Sequence, residues 1–302
     1  MDDYQYQHFV SKFLLKKFKD VGLPIYKCKN NIWMEHNPLR TGGEDCFYGF
    51  KDNSLEVFFG NLENSIAAMF LHSHLDKKDE AYLKIFILLM AYRSPSKNQI
   101  ITEKYENFIN GIKNQFSEKE ICSIFEKRRN EQDNWLASLD DDFEMRKIIN
   151  EFPNSFSDSD NSKFYPIITQ ELLQILPKFG KCFEIQIFES DADLIIGETP
   201  TLSINLDINE VKITGEEAGL IHKNVMYWLP VAYNKVAFMY NPSNIVAIKC
   251  RKLRKEDTIV LNYYQKEKSP FFYSRIKDIS FPDLPTNFNW TQHFNYVFEY
   301  SS

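Results

Sequence analysis

The sequence is poor in glycine and cysteine, and rich in aromatic residues. Only 10 of its 302 residues are glycine, against 26 phenylalanines and 16 tyrosines. Aromatic side chains bury large apolar areas, so this balance predicts a densely packed interior rather than a loop-rich scaffold. The cysteines are odd in number, scattered and without a CxxC pair, which argues against a disulfide framework or a zinc site. They are Cys28, Cys46, Cys122, Cys182 and Cys250.

The chain also lacks a hydrophobic run long enough to span a membrane, and its first residues do not resemble a secretory signal peptide. Its longest apolar run covers residues 85–92, whereas a membrane-spanning helix needs about 20 apolar residues. The first residues, MDDYQYQHF, are acidic and polar, unlike the basic and then apolar start of a secretory signal. We therefore expect a soluble, cytoplasmic protein.

The chain also lacks a net positive charge and the common catalytic sequence motifs. The net charge of −6 provides no general attraction to nucleic acid. The sequence contains no GxGxxG, GxxxxGK[ST], HExxH or GxSxG motif, so nucleotide-driven, zincin and serine-hydrolase chemistry are not expected. His72 and His74 are two residues apart, and on a helix they would point in different directions rather than share a metal ion.

What the sequence does have is one strongly apolar stretch, AYLKIFILLMAYRSP, over residues 81–95. Apolar residues surround almost the whole predicted helix, with Lys84 the only charge before Arg93, so we expect a buried central helix. Pro95 ends it, because the residue before a proline disfavours the helical conformation. Arg93 is left at the C-terminal end, where free carbonyl groups favour a cation.

Helical periodicity dominates the first part of the chain. Helices are predicted over residues 7–18, with His8 at the start, over 54–71, and over 145–149. Glu56 and Glu63 are seven residues apart and lie at the margin of the apolar face of the second helix. A hairpin with strands 25–28 and 32–34 is predicted around the turn at Asn30 and Asn31.

Alternating patterns dominate the second part. Strands are predicted over residues 183–187, 193–196, 202–206, 211–214, 227–240 and 245–250. A helix or strand follows over 256–264, and an aromatic tail over 289–300. Helices followed by strands predict an α+β protein. We expect one domain over residues 1–302, with a helical part to about residue 180 and a mostly antiparallel sheet over 181–302 that shares its core.

Several charged residues at element boundaries form a candidate site. We expect His8, Arg93, the two glutamates and Glu198, which precedes Pro200, to converge. Glu56, Glu63 and Glu198 offer the oxygen ligands that Mg²⁺ or Mn²⁺ prefers. A histidine serves as a general base, and an arginine holds a phosphate bidentately. Together these groups are the parts of a metal-dependent phosphodiesterase site.

The same residues have structural interpretations that the sequence leaves open. Arg93 with a neighbouring glutamate also fits an internal salt bridge that fixes helix packing. His8 fits a capping or packed histidine, and Glu198 fits a turn that ends a strand. The only basic cluster, KCRKLRK, fits either a solvated surface or contact with a phosphate backbone. Its candidate nucleic-acid-binding residues are Lys249, Arg251, Lys252, Arg254 and Lys255.

Taken in order, a series of short blocks resembles an uncharacterised bacterial family, the one catalogued as domain of unknown function 4238. The resemblance covers about residues 7–275. Its blocks are His8 to Phe18, Asp45 to Tyr48, Glu56 with Glu63, Arg93-Ser94-Pro95, Glu198-Thr199-Pro200, Trp228-Leu229-Pro230 and Asn262. Two residues depart from the family pattern: Ser11 replaces a proline, and Glu198 replaces an aspartate and reaches one carbon further.

These observations lead to two hypotheses about function. The first is a metal-dependent nuclease or phosphodiesterase, a cytoplasmic bacterial effector in toxin or anti-phage defence, as the charged residues and the resemblance suggest. The alternative is a non-enzymatic protein that binds a partner or ligand, with Arg93 and the glutamates as a structural cluster. Both predict that Arg93 contacts at least one of Glu56, Glu63 and Glu198 near His8, where the helices meet the sheet.

Overall fold

A computed structural model describes residues 6–8, 10–20, 22–45, 54–69, 75–93, 117, 120, 123, 140–150, 176–178, 180–213, 224–277, 279, 281, 283–285 and 288–301. Cys46, Cys122, the two histidines His72 and His74, and the pair Ser94-Pro95 lie outside these ranges. The strands and helices below all fall within them.

The central helix is present and buried as predicted. The helices are α1 (Lys12–Lys17), α2 (Ser54–Met69), α3 (Lys77–Tyr92), α4 (Phe143–Asn150), α5 (Lys255–Glu267) and α6 (Trp290–His293). Helix α3 begins earlier than predicted because Asp76 caps it, accepting a hydrogen bond of 2.8 Å from the Asp79 backbone N–H. Every residue from 81 to 91 is buried. Even Lys84 is buried, and it donates a 3.0 Å hydrogen bond to the Gly180 carbonyl.

The prediction of a helix over residues 7–18 is wrong in its first part. Strand β1 (Tyr6–His8) pairs antiparallel with β4 (Gly43–Asp45), and His8 lies opposite Gly43. Helix α1 begins only after Ser11, whose hydroxyl oxygen accepts a hydrogen bond from the Leu14 backbone N–H. His8 therefore lies on a strand, held by a partner far away in the sequence.

The predicted hairpin joins a sheet of four strands, all antiparallel. The strands are β2 (Ile25–Lys29), β3 (Ile32–His36), β6 (Ile196–Gly197) and β13 (Phe272–Ser274), in the order β3-β2-β13-β6. Asn30 and Asn31 both have positive φ angles, 51° and 62°, as the predicted two-residue turn requires. The first part of the chain is thus not wholly helical, because its hairpin pairs with a strand from the second part.

The largest sheet has six strands and forms the centre of the second part. They are β5 (Glu184–Ser190), β7 (Leu202–Asn205), β8 (Glu210–Ile213), β9 (Val225–Ala232), β10 (Lys235–Tyr240) and β12 (Lys252–Leu253). Their order is β12-β5-β10-β9-β7-β8, and only the β12–β5 pair is parallel. The single strand predicted over 227–240 is a hairpin of two strands. The α+β class is confirmed.

Two predictions for the end of the chain resolve into definite elements. Residues 256–264 lie in helix α5, and the aromatic tail forms α6 and strand β14 (Phe298–Tyr300), which pairs with β11 (Ile245–Ile248). The strand predicted over 193–196 is wrong for most of its length. Part of its backbone forms hydrogen bonds with the side chain of Asn262 instead of with another strand. That side chain accepts a hydrogen bond from the Ile195 N–H at 2.9 Å and donates one to the Asp193 carbonyl at 2.8 Å.

One cluster of buried apolar side chains includes residues from helices α1 to α4 and from strands β5, β7, β9 and β10. Helix α3 contacts helices α2 and α4 and strands β5 and β9. In the described ranges, no helix combines the length and the apolar character needed to cross a membrane. Helix α3 therefore lies between other helices and the six-stranded sheet.

Candidate functional site

Arg93 caps the C-terminal end of α3 and is almost completely buried, with 1% of its surface exposed. Its Nη1 donates a hydrogen bond of 2.9 Å to Oε1 of Glu63, whose side chain is 14% exposed. The guanidinium carbon lies 4.1 Å from the centre of the Phe59 ring, a cation–π geometry. The expected contact between Arg93 and one of the three glutamates is thus confirmed.

Helical spacing explains how these groups meet. Phe59 and Glu63 are four residues apart on α2, so they lie on one face and present a ring and a carboxylate side by side. Met90 is three residues before Arg93, and its sulfur lies 4.0 Å from Nη1. Because α2 packs against α3, the guanidinium is enclosed by residues of both helices. The pair therefore links the two helices at the end of α3.

His8 lies within electrostatic range of Arg93. It is 8% exposed, and its imidazole is hydrogen-bonded to the backbone carbonyl of Pro38. The pKa of His8 is lowered from 6.5 to about 4, mainly by burial and then by the positive charges of Arg93 and Lys12, against the opposing effect of the Pro38 hydrogen bond. His8 is therefore neutral at pH 7, and the expected contact between His8 and Arg93 stays a prediction.

The neutral state of His8 predicts a loss of stability in mild acid. Between pH 6.5 and pH 4 the unfolded chain binds a proton at this histidine that the folded chain does not, so the free energy of unfolding falls as the pH is lowered through that window. A shift from 6.5 to about 4 corresponds to a contribution of about 3 kcal/mol, lost in full near pH 4. Urea-induced unfolding measured at several pH values checks this.

The control for this effect is His8→Gln, which keeps a polar side chain but does not titrate. The difference in stability between the wild type and this variant should shrink as the pH is lowered from 6.5 to 4. A difference that stays constant over this window would show that His8 is protonated in the folded protein.

Glu198 is buried, with 1% of its surface exposed. It follows β6 directly, and its carboxylate accepts a 3.1 Å hydrogen bond from the Thr199 hydroxyl. Its backbone N–H donates to the Phe271 carbonyl at 3.0 Å. Burial lowers the pKa of Lys27, and the negative charge of Glu198 opposes this, so the two groups lie within electrostatic range. The contacts described for Glu198 thus involve different residues from those described for Arg93.

The segment that carries Glu198 is held from both sides. On one side α5 supplies Gln265, which accepts from the Gly197 N–H at 2.8 Å and donates to the Pro200 carbonyl at 2.9 Å. On the other side the Thr201 hydroxyl donates to the Ile87 carbonyl of α3 at 3.1 Å. A side chain at Gly197 would meet Ser269 Oγ at 2.1 Å, so this close packing requires glycine.

Glu56, Glu63 and Glu198 are the proposed metal ligands, and the structure describes the side chains of Glu63 and Glu198. Helix α2 includes Glu56, but the side chain of Glu56 lies outside the described part of the chain. Among the described residues, no three His, Cys, Asp or Glu side chains are close enough together to hold one metal ion. Mg²⁺ or Mn²⁺ binding by Glu56, Glu63 and Glu198 stays a prediction.

The basic cluster lies on the surface and is partly neutralised. Lys252 forms an ion pair with Asp191 at 2.7 Å, and Arg254 forms one with Asp257 at 3.4 Å. The Nζ of Lys249 donates to the backbone carbonyl of Asn295 at 3.2 Å. Among the described salt bridges, those of the cluster involve only Lys252 and Arg254. Lys249, Arg251 and Lys255 are exposed as well.

Sequence reasoning missed the carboxylate at the centre of this region. Asp257 is fully buried and accepts hydrogen bonds from the Arg254 backbone N–H at 2.7 Å and from the Tyr296 hydroxyl. His293 Nε2 lies 3.0 Å from its other oxygen. Burial raises the pKa of Asp257, but these hydrogen bonds outweigh it and lower the pKa overall. The acidic pair Glu256 and Asp257 in the first turn of α5, where the helix dipole favours negative charge, is the signal that was available.

Comparison with known proteins agrees with the resemblance seen in the sequence. No curated protein and no solved structure matches the chain. A family described as "Protein of unknown function (DUF4238)" matches residues 6–279. This match covers most of the chain, including β1, helices α2 and α3, and the segment around Glu198. The chain therefore belongs to this family.

Proposed function

We propose that this protein is a non-enzymatic binding protein, in which Arg93 and Glu63 form part of the internal framework. The observation that carries the proposal is the environment of Arg93, which is 1% exposed, paired with Glu63 and stacked on Phe59. An arginine that recognises a phosphate directs its N–H groups at the substrate. Here one of those groups is directed at a carboxylate of the same chain, which favours a role in helix packing.

The surroundings of His8 support the same proposal. A general base has to come within about 3 Å of the proton that it removes. His8 is 8% exposed and hydrogen-bonded to Pro38, so its described contacts are with the protein rather than with solvent. The ion pairs of Lys252 and Arg254 likewise reduce the positive charge available to a phosphate backbone.

A second candidate is a metal-dependent nuclease or phosphodiesterase, an effector in toxin or anti-phage defence. The observation that favours it is that His8 is neutral at pH 7 and lies within electrostatic range of a guanidinium group that is paired with a carboxylate. A neutral imidazole is the form that accepts a proton in general-base catalysis. In this case Mg²⁺ or Mn²⁺ would bind to the glutamates, and exposed Lys249, Arg251 and Lys255 would contact nucleic acid.

Incubation of the pure, folded protein with labelled RNA and DNA, with and without Mg²⁺ or Mn²⁺, separates the two candidates. A binding protein is expected to leave both substrates intact under every condition. Cleavage that depends on the metal, is lost in His8→Gln and Glu63→Gln, and persists in Glu189→Gln would overturn the proposal. Glu189 is a suitable control because it is an exposed glutamate on β5.

A further inference from the structure

Strand β3 forms one edge of the four-stranded sheet, and it is unusually open for an edge. In the described part of the chain it pairs only with β2. None of its five residues is buried, and the pattern alternates little between its two faces. An edge strand presents a row of unpaired backbone groups, which is a ready template for another strand. This edge is therefore a candidate interaction surface.

The turn at Asn30 and Asn31 decides which backbone groups face outward. In a two-residue hairpin the residues that flank the turn, here Lys29 and Ile32, form a hydrogen-bonded pair, and the pairing alternates from there. Ile32, Met34 and His36 thus direct their backbone groups toward β2. Trp33 and Glu35 direct theirs away from the sheet, and among the described residues no backbone hydrogen bond outside β2 and β3 uses them.

Two of the exposed side chains at this edge are apolar. Ile32 is 63% exposed and Met34 is 41% exposed. They are two residues apart on a strand, so both lie on the same face of the sheet. Natural edge strands are commonly protected by charges, prolines or bulges. Here two exposed apolar side chains, Ile32 and Met34, flank the outward-facing backbone groups of Trp33, and this arrangement favours pairing with a partner strand.

The charges around the edge indicate the chemistry of that partner. Lys29 lies opposite Ile32, and Lys27 lies opposite Met34. Lys29 is exposed, whereas the ammonium group of Lys27 lies 3.8 Å from the centre of the Phe271 ring and within electrostatic range of Glu198. On the face opposite the apolar pair, Glu35 forms an ion pair with Lys277 at 3.2 Å. With Lys277, three lysines lie near Glu35 and Glu198, which leaves this region with a net charge of +1 (3 − 2) in a protein whose net charge is −6. A partner with negative charge is favoured.

We propose that strand β3 binds an extended peptide in which apolar residues alternate with acidic ones, and that the peptide adds a fifth strand to the sheet. The inference deepens the proposed binding function and rests on it. Backbone groups of Trp33 and Glu35 supply the hydrogen bonds, Ile32 and Met34 supply the apolar contact, and exposed Lys29 supplies the charge complementarity. A pocket of about 310 Å³ lined by Glu35 and His36 continues the surface at the end of β3.

A matched pair of variants at Glu35 tests the proposal. Glu35→Pro removes one outward-facing N–H without touching the hydrogen bonds to β2, and Glu35→Ala removes the same side chain but keeps that N–H. The probe is a short fluorescein-labelled peptide of alternating valine and glutamate, followed by fluorescence anisotropy. Loss of one backbone hydrogen bond should weaken binding by Glu35→Pro roughly fivefold relative to Glu35→Ala. Far-UV circular dichroism confirms that both variants are folded.

Control peptides and the oligomeric state complete the test. A peptide with lysine in place of glutamate should bind at least several-fold more weakly than the probe. Equal binding by the two Glu35 variants, or no binding of the valine–glutamate peptide by the wild type, would overturn the proposal. A wild-type dimer that Glu35→Pro dissociates would identify the edge as an interface between copies and overturn it as well. Metal-dependent cleavage in the nuclease assay would instead contradict only the non-enzymatic function.

Discussion

Replacing Arg93 with methionine is expected to lower the free energy of unfolding by about 3 to 5 kcal/mol, the usual cost of removing one partner from a buried ion pair. The Glu63 carboxylate, 14% exposed, would lose the guanidinium that compensates its charge. Phe59 would also lose the cation above its ring. Methionine fills a similar length with apolar atoms, so the loss reports on charge rather than on a cavity. Urea-induced unfolding followed by circular dichroism measures the effect.

The double variant Arg93→Met with Glu63→Met is the control. Replacing both members of a buried ion pair with apolar residues of similar size is often close to neutral. The double variant should therefore recover more than half of the stability lost in Arg93→Met. A loss below about 1 kcal/mol in the single variant, the level of an exposed pair, would contradict the framework role and leave Arg93 open to a role in binding substrate.

The second large effect is expected for Trp290→Ala. Trp290 is fully buried and stacks on Trp228, with ring centres 5.0 Å apart, and on Phe294, at 4.4 Å. Truncation of a buried tryptophan to alanine costs about 3 to 5 kcal/mol, because apolar contact is lost and a cavity remains. The family match ends at residue 279, so this prediction concerns a segment outside it that still contributes to the core.

Thermal and urea-induced unfolding of Trp290→Ala should be compared with Gln292→Ala, two residues further along the same helix. The side chain of Gln292 is exposed, so its removal should change stability by no more than about 0.5 kcal/mol. If the two variants were equally stable, the segment 288–301 would not unfold together with the six-stranded sheet.

Local patterns in the sequence determined helices α2 and α3 and the hairpin. The apolar residues of α2 and α3 recur with helical spacing, so those elements follow from contacts between near neighbours along the chain. The turn at Asn30 and Asn31 needs two positive φ angles, which asparagine tolerates better than most residues. That Arg93 needs a nearby anion could also be predicted, because arginine stays charged at the end of a buried helix.

Tertiary structure decided which residues these elements meet. Arg93 pairs with Glu63 because α2 packs against α3, and the spacing within either helix does not specify that packing. His8 lies on a strand because Gly43 is its partner, a contact with no local signal. Residues 193–196 have a strand-like pattern, yet the Asn262 side chain takes their hydrogen bonds. Each outcome depends on contacts between residues far apart in sequence, which periodicity does not reveal.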